Sequence, residues 1–184
     1  MAIFEKIKKR LLAKIIILGV FVSILYGCGF HLRGWNNAAL PKFMERVYIG
    51  YSGKDYDFLN AMISATNAAG AKIAETKDNA SVILQIKSAK AEDRLTGIIG
   101  GASANQYLLS FTVHYQLLDH QDNVIMADQF NAATSPYSSN ATQQLSNDNQ
   151  REQIYNNLKQ QVANNIILQL QSIDPDIYEV KKHD

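Results

Sequence analysis

The run YLLSFTVHYQLLD, residues 107–119, alternates strictly: Tyr107, Leu109, Phe111, Val113, Tyr115 and Leu117 share one parity, and Ser110, Thr112, His114 and Gln116 the other. Successive side chains of a strand point to opposite faces, so the pattern describes a strand with one dry face and one wet face. A sheet with a dry face is stable only when a second layer covers it. The cover is legible downstream. From about Asp148 to Gln171 the apolar residues Ile154, Leu158, Val162, Ile166, Leu170 and then Ile173 recur at near-fourfold spacing, which predicts an amphipathic helix stopped by Pro175.

The earlier part of the chain supplies further pieces of the same kind. RVYIGYS puts Val47, Ile49 and Tyr51 on one face of a strand. Asp55 then caps a helix whose stripe is Phe58, Leu59, Met62 and Ile63 and which Gly70 ends. AKIAETK and ASVILQIKSAK read as two more strands, and after the turn DHQDN the run VIMADQFNA pairs back as a hairpin. GIIGGAS, residues 97–103, reads as a hairpin tip and TSPYSSN, residues 134–140, as a linker. The order of strand, helix, several strands and long helix predicts an α+β two-layer sandwich: one mixed β-sheet covered on one face by two helices. The opposite sheet face, with Ser110, Thr112, His114 and Gln116, is left available to a ligand or partner.

Ahead of this body, Lys6, Lys8, Lys9, Arg10 and Lys14 form a basic head and Ile15–Tyr26 an apolar run of roughly a dozen residues, the layout of an export signal. The run falls short of the ~20 residues a membrane-crossing helix needs. Cys28, the chain's single cysteine, follows at once, and in an oxidising compartment it has no second thiol to pair with. Leu25-Tyr26-Gly27-Cys28 resembles the lipobox of bacterial lipoproteins, in which the cysteine is acylated and becomes the mature N-terminus. Gly29 stands where Asp would direct inner-membrane retention, which implies delivery to the outer membrane. Each acyl methylene contributes about 0.8 kcal/mol, so several chains anchor a protein that has no membrane span. The expected organisation is a signal peptide over 1–27, a lipidated tether over 28–42, an α+β domain over 43–174 and a tail over 175–184.

Removing the signal takes five of the 18 basic residues and one of the 17 acidic ones, leaving 13 against 16, a balance that does not suit nucleic acid. No catalytic grouping stands out. His31, His114, His120 and His183 lack metal-ligand spacing, and GIIGGAS lacks the Lys-Ser/Thr ending of a phosphate loop. Asp119, Asp122 and Asp128 lack the glycine and terminal Glu of a calcium loop and read as turn acids. Neither a metal nor a cofactor is expected. The long helix is instead rich in amides, among them Asn157 and Gln161. Amides are common on solvated helix faces, but they also tolerate enclosure by another protein, because they exchange hydrogen bonds without the desolvation cost of an ion.

The stretch CGFHLRG carries a resemblance. Cys28 followed by Gly29, Phe30, His31, Leu32 and Arg33 is similar to the start of the mature chain in the LptE family of lipopolysaccharide-assembly lipoproteins of Gram-negative bacteria, and the likeness continues thinly through the body. It implies a non-catalytic lipoprotein on the periplasmic side of the outer membrane. There it would plug the β-barrel LptD, one to one, and support barrel assembly and lipopolysaccharide delivery to the surface. It also implies lipopolysaccharide binding through basic residues near the hairpin tip and just before the final helix. Those positions fall near Gly100 and Asn147, and Lys90 and Arg94 are the nearby basic substitutes. A plug also makes Asn157 and Gln161 candidate barrel contacts. Phe30 and Leu32 could pack as a clip with Arg33 facing headgroups or a carboxylate, or the motif could be a plain tether. The alternative function is a stand-alone periplasmic lipid-binding carrier lipoprotein, which would need a deep apolar cavity.

Overall fold

The computed structural model describes residues 39–100, 104–140 and 142–174. The signal segment, Cys28 and the Gly29–Arg33 motif lie outside the described residues, as does the tail 175–184. The elements are β1 (Arg46–Tyr51), α1 (Tyr56–Ala68), β2 (Lys72–Ile73), β3 (Val82–Ile99), β4 (Ala104–Asp119), β5 (Val124–Asn140) and α2 (Gln144–Gln171). The strands form a five-stranded sheet in the order β2-β1-β3-β4-β5, with β1 parallel to β2 and β3 and the β3–β4–β5 ribbon antiparallel. Both helices pack on one face of this mixed sheet, the α+β two-layer arrangement expected from the periodicity.

The dry face of β4 forms the centre of the core. Leu109, Phe111, Val113, Tyr115 and Leu117 are buried, and they meet Leu158, Val162, Ile166 and Leu170 of α2. Phe111 packs on Phe58 of α1 with ring centroids 5.3 Å apart, adding the geometric preference of an aromatic pair to simple burial. The Asp55 side chain accepts from the Phe58 N–H (3.1 Å), and Gly70, at φ +82°, ends the segment in the left-handed region where a Cβ is strained.

Several boundaries differ from the expectation. The buried stripe of α1 is Phe58, Ala61, Met62, Ala65 and Thr66, whose hydroxyl donates to the Met62 carbonyl, while Leu59 and Ile63 are half-buried. Small alanines let the helix backbone approach its neighbours, so the stripe rotates toward them. TSPYSSN is not a linker: it is the last part of β5, paired to β4 from Ser110↔Thr134 to Ala104↔Asn140. Pro136 is tolerated there because β5 is an edge strand, where a missing N–H costs no ladder bond, and Tyr137 turns inward and is buried. β3 continues to Ile99 before Gly100, at φ +60°, enters the hairpin connection. α2 begins four residues earlier than expected, at Gln144.

The outer face of the sheet is not uniformly open. Ile83 and Leu118 point away from the helices yet are buried, next to the 74–81 connection in which Ala74 and Ala80 are also buried. Lys77 of that connection reaches Asp122 in the β4–β5 turn at 3.4 Å. In the same turn Asp119 accepts from the N–H groups of Gln121 and Asn123 (both 2.8 Å) and from the Asn123 side chain (2.9 Å). Partial burial acts to raise the Asp119 carboxyl, but these donors outweigh it and hold it below its ordinary value.

Candidate functional site

Two polar clefts open on the helical side of the molecule. The first lies where the β3–β4 hairpin meets the entry to α2. It has a volume of ≈ 290 Å³ and is lined by Asp93 of β3, Tyr107 of β4, Tyr137, Ser139 and Asn140 of β5, and Asn147, Asp148 and Arg151 of α2. Strand alternation places Asp93, Tyr107 and Tyr137 on the inner face; Tyr137 is buried there, while Tyr107 is half-buried and Asp93 exposed. The first turns of α2 are mostly polar, and their Leu145 is exposed. Asp93 pairs with the Arg151 guanidinium and also accepts from the Tyr155 hydroxyl, while the guanidinium carbon sits 6.0 Å from the Tyr155 ring centroid. Burial, then the Asp93 hydrogen bond and charge, push the Tyr155 phenol well above its usual range.

The β5–α2 connection closes the cleft with hydrogen bonds to Asn147. Asn147 Nδ2 donates to the Asn140 carbonyl (2.6 Å), the Asn140 N–H donates back to Asn147 Oδ1 (3.1 Å), and the Tyr137 hydroxyl donates to the Asn147 carbonyl (3.0 Å). Tyr107 and Tyr137 lie nearly parallel, 6.2 Å apart at 29°. Beyond this point the inner face of the hairpin is uncovered, with Leu95 51% and Ile98 63% exposed.

The second cleft, ≈ 280 Å³, runs between α1 and α2 and is lined by Asp57, Asn60, Asn156, Asn157, Lys159 and Gln160. The Lys159 ammonium bridges to Asp55 at 2.8 Å and Asp57 at 3.6 Å.

The residues singled out from sequence fall in different places. Asn157 lines the interhelical cleft and Gln161 is exposed one turn on. Lys90 and Arg94 are exposed on the outer sheet face, opposite Thr112 and Leu108, so neither joins Arg151 in the hairpin cleft. His114 is exposed there too, its ring 5.9 Å from Phe130 and its Nδ1 3.8 Å from Asp128, which also pairs with Lys87 at 3.2 Å. Not all the amides of α2 face water. Gln169 accepts from the Tyr115 hydroxyl (2.5 Å) and donates to Gln129 (3.3 Å), and Asn165 donates to Asn131 (3.4 Å), so these two lace the helix to the sheet. The Asp93–Arg151–Tyr155 cluster was missed from sequence, since Tyr155 and Asp93 are 62 positions apart. A local signal is that Arg151 lies one helical turn before Tyr155, on the same face. Among the described residues no group of three His, Cys, Asp or Glu is placed to hold a metal ion, and no helix is long and apolar enough to cross a membrane.

A family profile described as LptE, lipopolysaccharide-assembly, matches residues 44–170, from the 3₁₀ turn before β1 to the last turn of α2. The chain belongs to the LptE family. Solved structures carry the same fold. A minor lipoprotein from Acinetobacter baumannii is 18% identical, with 70% of this chain and 92% of that chain covered and a TM-score of 0.61. Lipoprotein B from Nitrosomonas europaea is 23% identical, with 78% and 91% covered and a TM-score of 0.64. Rare lipoprotein B from Shewanella oneidensis is 12% identical, with 76% and 99% covered and a TM-score of 0.59. A search of curated protein sequences finds no match. Membership of the LptE family makes this a non-catalytic lipoprotein of lipopolysaccharide assembly, associated with the assembly machinery and consistent with the outer membrane.

Proposed function

We propose that this LptE-family protein is a lipid-anchored plug for the LptD barrel, acting from the periplasmic side of the outer membrane. In this reading residues 1–27 are removed, Cys28 carries the acyl chains, residues 28–42 are the tether with the Gly29–Arg33 motif, residues 43–174 are the plug and residues 175–184 its tail. The observation that carries it is the exposed face of α2, where Asn156, Asn157, Gln160 and Gln161 all reach solvent over a filled apolar core. A wide barrel otherwise leaves an aqueous channel, and a body that fills it must cover polar walls while burying few ions. Lys90 and Arg94, alternating with Glu92 on the outer sheet face, are the residues proposed to meet lipopolysaccharide phosphates. The stand-alone carrier is disfavoured by the same core, since both clefts described above are polar and open.

The test is recovery of LptD, identified by mass spectrometry, from envelope extract on the unlipidated Cys28→Ala chain and on Asn157→Glu with Gln161→Glu. The parent should recover the barrel and the double variant should lose it, because enclosed unpaired carboxylates are strongly disfavoured. No barrel on the parent would end the plug reading; equal recovery would move the interface off this face. In parallel, mass spectrometry of the membrane-extracted protein should show Cys28 as an acylated N-terminus, and an unmodified thiol would refute the anchor.

A further inference from the structure

The cleft between α1 and α2 has a chemistry that a barrel contact does not require. Its walls carry Asn60, Asn156, Asn157 and Gln160, with Asp57 and Lys159 completing the lining. Lys159 is already held by Asp55 and Asp57, and its side chain is only 13% exposed. Two carboxylates against one ammonium disfavour a phosphate or carboxylate ligand, and the ammonium disfavours a metal cation. No aliphatic or aromatic side chain lines the cleft, so an acyl tail would gain no apolar contact there. What fits is a neutral ligand dense in hydroxyls. Each amide offers acceptor and donors on one planar group, the Asp57 carboxylate accepts, and the ammonium donates. Tyr56, one helical turn before Asn60 on the same side of α1, keeps 70% of its surface exposed. Its exposed ring, a turn away from a residue that lines the cleft, offers a plate against which the apolar face of a sugar can stack.

We propose that this cleft is a saccharide-binding subsite. Its ≈ 280 Å³ is at the small end for ligand sites and suits roughly one or two sugar rings. Asn60, Asn157 and Asp57 supply the hydroxyl contacts, Tyr56 the stacking surface, and Lys159 fixes the Asp57 carboxylate. Two sources share this chemistry, the oligosaccharide of lipopolysaccharide and the glycan of the cell wall. The subsite goes beyond the plug reading: it shares Asn156, Asn157 and Gln160 with the α2 face assigned to the barrel, whereas Asn60 and Tyr56 of α1 belong to the subsite alone.

The experiment titrates the full-length lipoprotein, in a zwitterionic detergent free of sugar headgroups, with three probes: deacylated lipopolysaccharide core oligosaccharide, a peptidoglycan disaccharide, and glycerol as a polyol control. Saturation-transfer NMR on the probe reads binding. One of the two saccharides should saturate in the millimolar range while glycerol does not, and which one binds assigns the source. Asn60→Leu and Tyr56→Ala should each weaken binding about tenfold, the scale of one good polar or stacking contact. Glu75→Gln, exposed in the 74–81 connection away from the cleft, should leave it unchanged. The proposal is overturned if neither saccharide saturates on the parent, or if both variants bind like the parent. Both positions are exposed, and circular dichroism verifies the fold; should Asn60→Leu misfold, Tyr56→Ala carries the same decision. Recovery of LptD is read in parallel, so that a parent that recovers the barrel but binds neither saccharide overturns the subsite alone.

Discussion

Around Phe58, Met62, Phe111 and Ile166 the two layers meet through side chains with essentially no solvent access, whereas at the hairpin end they meet through Asp93, Arg151 and Tyr155. The first contact is apolar and non-directional, and its strength follows the area removed from water. The second is charged, directional and partly wet, so water or another molecule's polar groups can replace it. This difference divides the labour within one small domain. The region around Phe111 gives the fold its stability, and the region around Asp93 keeps a polar, partly wet surface that can rearrange without dismantling the core.

The comparison breaks hardest at Phe111. Phe111→Ala leaves a cavity between β4 and α1 and should cost about 3–5 kcal/mol in denaturant unfolding. A loss below about 0.5 kcal/mol, typical of surface positions, would reverse the assignment of the two sheet faces. The next effect belongs to the polar group that penetrates the apolar region. Tyr115→Phe removes the hydroxyl bond to Gln169 and should cost roughly 1 kcal/mol, the usual net value of one hydrogen bond.

Alkaline titration sharpens the same contrast. Burial pushes the Tyr115 phenol from 10.0 up to about 12. A folded value raised above the unfolded one means the folded chain holds the proton longer. The contribution is therefore complete below pH 10 and is lost as pH rises from about 10 through about 12. Stability measured across that window should fall more steeply in the parent than in Tyr115→Phe, and parallel curves would contradict the assignment.

At the hairpin end, Arg151→Ala should cost less than about 1 kcal/mol in global unfolding, because the pair is partly exposed and screened. Its effect should be local: amide exchange should speed up in β3 around Asp93 and in the first turns of α2, while β4 around Val113 keeps its protection. A global loss as large as that of Phe111→Ala would erase the distinction between the two regions. The smallest effect is expected at Pro136. Pro136→Thr restores an N–H on an edge strand and should change stability by no more than about 0.5 kcal/mol.

Much of this architecture is written locally. The alternation from Tyr107 to Leu117, the near-fourfold spacing from Ile154 to Leu170 and the Asp55 cap each involve residues within a few positions of one another. Short-range stereochemistry therefore determines which face is dry, and one dry sheet face with two striped helices leaves little choice beyond a two-layer α+β sandwich. The basic head, the apolar run and the CGFHLRG stretch are local in the same way, so they carry a family resemblance by themselves, outside the residues 44–170 that the family profile matches.

What the tertiary structure decided concerns longer reach. Residues 134–140 carry a proline, three serines and an asparagine against only Thr134 and Tyr137 as strand formers, yet they extend β5 because β4 offers them a ladder along one edge. The α1 stripe turned toward Ala61 and Ala65 because close approach to two neighbours favours small side chains, a preference that exists only once those neighbours are in place. The Asp93–Arg151–Tyr155 cluster and the α1–α2 cleft join side chains from elements far apart in the chain. Periodicity tells each element which face to bury, but which polar residues then meet across the layers depends on register and helix placement, and these are set by packing of the whole domain.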